Sequence, residues 1–198
     1  MKRVIVLNNA YDVTEKVRNR ILSNELDILQ VNYNCDEYTL SPFYGMNDLT
    51  EIKFDIELSE NVKSMFAFFY NCKSLKAIPL FDTKNVTDMS YMFEYCEALK
   101  SVPLFDAEKV TNMNNMFSFC KSLETVPLFD TKNVTDMSYM FSFCEALESI
   151  PKFDTQNVTD MSYIFEFCEA LKSVPLFDTQ NVTNMYGMFS GCPAIIEG

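Results

Sequence analysis

Histidine is absent from the 198-residue chain. This removes the usual general base near neutral pH and the commonest metal ligand. Hydrolase and zinc mechanisms lose their central residue, so the chain is expected to be non-enzymatic, with no cofactor and no metal site. Glycine is scarce as well, at four residues, too few for the Gly-rich repeat of calcium-binding β-helices. No run approaches the ~18 apolar residues of a membrane span, so membrane insertion is not expected. There is no lipidation motif, and the apolar run Val4 to Leu7 is far shorter than a signal-peptide core. Basic residues are in deficit, with 16 Lys and Arg against 28 Asp and Glu for a formal charge of -12. That balance argues against nucleic acid or an anionic membrane surface as partner and favours a basic or neutral one.

What is present is repetition. Phe81 to Leu104, FDTKNVTDMSYMFEYCEALKSVPL, returns with few changes at residues 105, 129, 153 and 177. A fixed 24-residue period is the signature of a solenoid whose coils bury their apolar faces only against neighbours. Slots that stay apolar in every copy should face the core. They are the columns of Val86, Met89, Met92, Phe93, Cys96 and Leu99. Met89, Met92, Phe93, Cys96 and Leu99 fall at i, i+3, i+4, i+7 and i+10, which predicts a short α-helix capped by Thr87 or Asp88 and ending near Ala98. Leu99, Val102 and Leu104 then carry the L-x-x-L-x-L spacing of a leucine-rich-repeat strand, kept very short by the proline column of Pro79, Pro103, Pro127, Pro151 and Pro175. Lys152 occupies the slot of Leu80, Leu104, Leu128 and Leu176, so that slot should reach solvent. The expected fold is α/β: a right-handed, leucine-rich-repeat-like solenoid of 24-residue coils, each a short strand plus a short helix.

Residues 1–42 lack the repeat. Val4 to Leu7 reads as a strand, Asp12 or Thr14 as the cap of a helix reaching about Leu26, and Ile28 to Tyr33 as a second strand. This segment is expected to cap the stack or to attach it to a larger body. The solenoid is expected over 43–198, beginning with a degenerate coil, Phe43 to Phe54, whose apolar spacing matches Phe69 to Leu80, with Met46 standing where later coils have Cys. Six Cys-containing coils follow, the last truncated.

The motif NVTDMSYMF-x-x-C-x-x-L-x-x-V-P-L-F-D-T resembles the BspA-like leucine-rich repeats of bacterial surface proteins and mycoplasma-type lipoproteins. The resemblance covers about residues 43–198 and implies a solenoid used for adhesion or partner binding, without catalysis. It implies a surface or extracellular location, whereas the missing signal peptide leaves a virion or the cytoplasm open.

Five columns invite a chemical reading. Cys72, Cys96, Cys120, Cys144, Cys168 and Cys192 recur once per repeat and read as a buried free-thiol ladder, spaced too widely for disulfides, while Cys35 falls outside it. Asp82, Asp106, Asp130, Asp154 and Asp178 read as Asx-turn residues at a bend. Asn85, Asn133, Asn157 and Asn181 begin N-V-T sequons and read as turn residues bonded to neighbouring backbone. The variable slots hold an aromatic stripe: Tyr91, Tyr139 and Tyr163 in one column, and Tyr95, Phe119, Phe143 and Phe167 in the other. These seven residues are the candidate partner-binding surface, for a protein or a glycan. The chain after Pro193 shows no obvious polar cap, so self-association or docking through the C-terminal end is a further expectation.

Overall fold

The computed structural model describes residues 2–193 and 196–197. Part of the C-terminal end expected to dock, Ala194 and Ile195, lies outside the described residues. The chain opens on a three-stranded parallel sheet, β1 (Val4–Leu7), β2 (Ile28–Val31) and β3 (Asp55–Leu58), in that spatial order. Val4 pairs with Ile28 and Ile28 with Asp55, so the second crossover is slightly longer than the first. From Ser64 onward single parallel bridges replace strands, joining Ser64 to Asp88, then Asn112, Asp136, Asp160 and Asn184. A two-residue pair, β4 (Ser173–Val174) with β5 (Ile196–Glu197), closes the described chain. One continuous apolar core runs from Leu7 to Val174. Such an architecture is a repeat solenoid.

The N-terminal elements follow their local chemistry. Asn9 caps a 3-10 turn, Ala10–Asp12, in a reciprocal capping box with Asp12. Thr14 caps α1 (Glu15–Leu22), its hydroxyl accepting from the Val17 amide at 3.3 Å. The helix ends at Leu22, short of the expected Leu26, because the chain turns through Ser23 and then Asn24 at φ 54°. It buries Ile21 in the shared core. Its Arg18 donates to the Tyr44 carbonyl at 3.1 Å.

The helix expected in each repeat is not formed. The amides of Met92 and Glu94 each donate to the carbonyl three residues back, as do those of Cys96 and Leu99, at 3.0–3.3 Å. The alternate amides, Met89, Tyr91, Phe93 and Tyr95, donate instead to Asn112, Asn114, Met116 and Ser118 of the next coil at 2.9–3.0 Å. Half the amides therefore leave the segment, which an α-helix forbids. The backbone reason is two left-handed residues per coil, Tyr91 at φ 58° and Tyr95 at φ 62°. Each is the third residue of a turn, the position where type II turns take positive φ. A chain of such turns reproduces the helical spacing of Met89, Met92, Phe93 and Cys96, so all four side chains are buried without a helix.

The expected repeat strands are also reduced. Among the described residues, Ser173–Val174 is the one stretch of the Leu-Val-Pro-Leu slots that forms a strand, and the ladder bridges lie in the Asp88 column instead. The slot of Leu80, Leu104, Leu128 and Leu176 does face solvent, at 58–68% exposure. On the outer surface, Lys73 pairs with Glu97, Lys121 with Glu145, Lys100 with Glu124 and Lys172 with Glu148, at 2.6–3.0 Å. Exposed pairs add little stability.

Candidate interaction surface

The two variable columns are the two left-handed columns. Ala67, Tyr91, Asn115, Tyr139, Tyr163 and Gly187 share one, and Asn71, Tyr95, Phe119, Phe143, Phe167 and Gly191 the other, all with φ between 52° and 72°. A residue with a Cβ loses roughly 1–2 kcal/mol there. The aromatic rings offset part of that cost by stacking on one another, at ~0.5–1.5 kcal/mol per pair.

The second column forms the longer ladder. Tyr44 stacks on Tyr70 at 4.8 Å between ring centroids, Tyr70 meets Tyr95 edge-on at 5.7 Å, and Tyr95, Phe119, Phe143 and Phe167 then stack at 4.6, 4.3 and 4.8 Å. Six rings thus run along one side of the solenoid, half-buried except for the exposed Phe167. The structure brings together four of the seven candidate residues here. Tyr139 and Tyr163 stack in the first column at 4.8 Å, but Asn115 separates them from Tyr91, which packs against Phe66 at 5.3 Å. Tyr44 and Tyr70 escape the sequence reading because they stand one position before the left-handed slot. The recurring pairs Phe43-Tyr44 and Phe69-Tyr70, at matching places in successive coils, are the signal that marks them.

Both ladders end on glycine. A Cβ at Gly187 would come within 2.5 Å of the Tyr163 ring, and one at Gly191 equally close to Phe167. Hydrogen in place of a side chain lets the last ring of each ladder close down on the backbone of the final coil.

Glu94 sits in the slot that Tyr70 occupies one coil earlier, beside Tyr91 and Tyr95. Burial pushes its carboxyl up to about 7. Glu166, in the same slot three coils further on, accepts from the Ser142 hydroxyl at 3.0 Å.

The remaining columns serve the fold. Each thiol of the Cys ladder donates to the carbonyl of the Phe one coil earlier, from Cys72 on Phe43 to Cys192 on Phe165, at 2.8–3.2 Å. Burial raises these thiols, Cys72 to about 12 and Cys96, Cys120 and Cys144 well above their ordinary value, which disfavours the thiolate a nucleophile requires. Cys35 is buried too and bridges Met65 through its backbone. The Asp column makes Asx turns, with Asp82, Asp106, Asp130, Asp154 and Asp178 each accepting from the amide two residues on. Asn133, Asn157 and Asn181 donate to backbone carbonyls of the preceding coil at 2.6–2.7 Å. No helix among the described residues is long and apolar enough to cross a membrane.

Comparison with known proteins places the repeats. The family described as "Mycoplasma protein of unknown function, DUF285" matches residues 41–148 and 97–197. No curated protein matches. Among solved structures, a leucine-rich repeat protein from Eubacterium ventriosum ATCC 27560 is 22% identical, with 85% of this chain aligned to 35% of that one at a TM-score of 0.38. The T. pallidum leucine-rich repeat protein is 17% identical, with 84% of this chain aligned to 76% of it, also at 0.38. The chain thus spans about a third of the length of the Eubacterium protein.

Proposed function

We propose, for a chain that belongs to the DUF285 family of BspA-like leucine-rich repeats, that its role is non-enzymatic binding, with the aromatic ladder as the surface that meets a partner protein. The observation that carries this reading is the continuous run of six rings from Tyr44 to Phe167. Rings held in register by the coil spacing present a rigid apolar strip with little side-chain entropy left to lose, which is what interface anchors need. The adhesive role implied by the resemblance is one form of this activity.

The test uses the slot's own tolerance. Asn occupies left-handed slots at Asn71 and Asn115, so Tyr95→Asn, Phe119→Asn and Phe143→Asn together remove three rings while keeping a residue suited to positive φ. In cross-linking mass spectrometry of the native sample, partner contacts should map to the ladder and be lost in the triple variant. Contacts that map elsewhere and survive the substitutions would remove the ladder from consideration.

A second reading is that the chain docks end-on within a larger assembly, such as a virion, through its N-terminal segment or its last coil. Met185, Tyr186 and Phe189 of the last described coil are 48%, 72% and 39% exposed, whereas Met161 and Phe165 one coil earlier are fully buried, an apolar face that a docking partner or a further coil would cover. Constitutive recovery in a large particle supports this reading, and recovery as a stable monomer opposes it.

A further inference from the structure

A cleft of about 450 Å³ opens between the N-terminal turn and the first coil, away from the central rings of the ladder. Its walls include Asn9, Tyr11, Arg18, Tyr38, Thr39 and Tyr44, and Arg18 is the one charged side chain among the described residues that line it. On a chain of net charge -12, the cleft presents a guanidinium, while the Asp12 and Asp36 carboxylates at its edge are engaged by the backbone amides of Asn8, Asn9, Tyr38 and Thr39. Arg18 is partly buried and has no carboxylate within ion-pair distance among the described residues, whereas most cations along the coils are paired.

The structural role of Arg18 is capping. Its one bond goes to the Tyr44 carbonyl. In the coils that follow, the corresponding carbonyls accept amides of the preceding coil, as Tyr70 does from Gly45 and Glu94 from Asn71. Capping uses one of the guanidinium's five N–H donors and leaves most of the fork free. A planar fork in a partly dry cleft is suited to a carboxylate held through two parallel hydrogen bonds.

The rim narrows the class of ligand further. Tyr11 and Tyr38 are 93% and 91% exposed, so packing explains neither ring. Aromatic faces of this kind pack against the C–H face of a pyranose, while free phenol hydroxyls and the Asn9 amide, which has no acceptor among the described residues, can serve its hydroxyls. A peptide is less well served. The Tyr38 and Thr39 amides are already engaged by the Asp36 carboxylate at 2.9 and 2.7 Å, leaving the cleft no strand edge for a peptide main chain to extend.

We propose that this cleft binds an acidic sugar residue, with its carboxylate on Arg18 and its ring face against the Tyr11 and Tyr38 rim. The cleft shares Tyr44 with the aromatic ladder but none of the ladder's other five rings. It is tested by titrating isotope-labelled protein with glucuronate and following amide shifts, with glucose and acetate as controls. Saturable shifts confined to residues 9–18 and 38–44 are expected, with glucose and acetate at least tenfold weaker. Arg18→Lys keeps the charge and a donor for Tyr44 but loses the fork, and Tyr38→Ala removes an exposed ring whose loss cannot unfold the chain. Each should weaken glucuronate at least fivefold while leaving the amide spectrum of the coils unchanged. Tyr95→Asn should leave glucuronate binding intact, so failure of the ladder reading and failure of this one are separable. The proposal is overturned by an absence of saturable shifts in the cleft, by acetate binding as well as glucuronate, or by unchanged affinity in either the Arg18 or the Tyr38 variant.

Discussion

The N-terminal turns and the repeat coils stack at nearly the same interval yet satisfy their backbones in opposite ways. Between β1 and β2 the chain spends one coil length on a full strand and a helix whose amides bond within the helix. Between Asp88 and Asn112 it spends the same length on turns, sending every second amide of Met89 to Tyr95 to the next coil. Solenoid spacing therefore does not dictate the local backbone. What decides it is whether the sequence supplies residues that bear positive φ in a position where stacking can compensate them.

The sharpest test of the comparison is whether the two regions unfold together. Phe117→Ala in the middle of the coils should cost about 3–5 kcal/mol, and Ile21→Ala in α1 about 2–5. Because both side chains belong to one buried cluster, urea unfolding followed by circular dichroism should show each variant shifting a single transition. Two transitions, with each variant moving only one, would divide the regions.

A smaller effect separates them by pH. Glu94 has its carboxyl raised from an ordinary 4.5 to about 7 by burial, so the folded state holds its proton more tightly than the unfolded chain. Its stabilising contribution is complete below about 4.5 and is lost as pH rises through about 7, by roughly 1–2 kcal/mol. Denaturant midpoints measured from pH 5 to 8 should fall, and Glu94→Gln should flatten that decline.

The thiol ladder predicts a difference of about 1 kcal/mol or less. Cys120 donates to the Phe93 carbonyl at 3.2 Å, whereas the Cys35 thiol has no such bond among the described residues. Replacing each by Ala creates a similar cavity, but only the Cys120 variant also loses a weak hydrogen bond. Parallel denaturation curves should therefore rank Cys120→Ala below Cys35→Ala.

The smallest expected effect carries the comparison in its sign. Asn19 lies within α1 and Asn115 in a left-handed slot at φ 54°. Asn19→Gly should destabilise by about 0.5 kcal/mol, and Asn115→Gly should stabilise by a few tenths. Thermal midpoints moving in the same direction would contradict the backbone assignment.

The core columns were legible because burial recurs at the repeat period: Val86, Met89, Phe93, Cys96 and Leu99 are all buried as their invariance predicts. So were β1, the Thr14 cap, the Asx turns and the exposed Leu104 column. The repeat helix was not, because apolar positions at i, i+3, i+4 and i+7 fit a chain of turns as well as they fit a helix. The discriminating residues are Gly187 and Gly191, together with Asn71 and Asn115. They occupy the slots of Tyr91 and Tyr95 and mark them as left-handed. Variation at those slots therefore reflects a backbone constraint, which Gly, Asn and a stacked aromatic meet in different ways, and not specificity alone. The cleft at Arg18 was invisible because Tyr11, Arg18 and Tyr38 belong to no repeat and meet Tyr44 of the degenerate first coil only in the folded chain.

The forward direction of the coil-to-coil bonds made by the alternate turn amides also bears on how the chain is made. The amides of Met89, Tyr91, Phe93 and Tyr95 find their acceptors almost one full repeat later in the sequence, so a coil emerging from the ribosome cannot close these bonds until its successor has followed. Each new coil completes the one before it, and folding should advance in steps of one repeat behind synthesis. Because every closure spans the same short loop, the entropic cost of each step is nearly constant. Lengthening such an array should therefore extend its assembly time roughly in proportion to the number of coils.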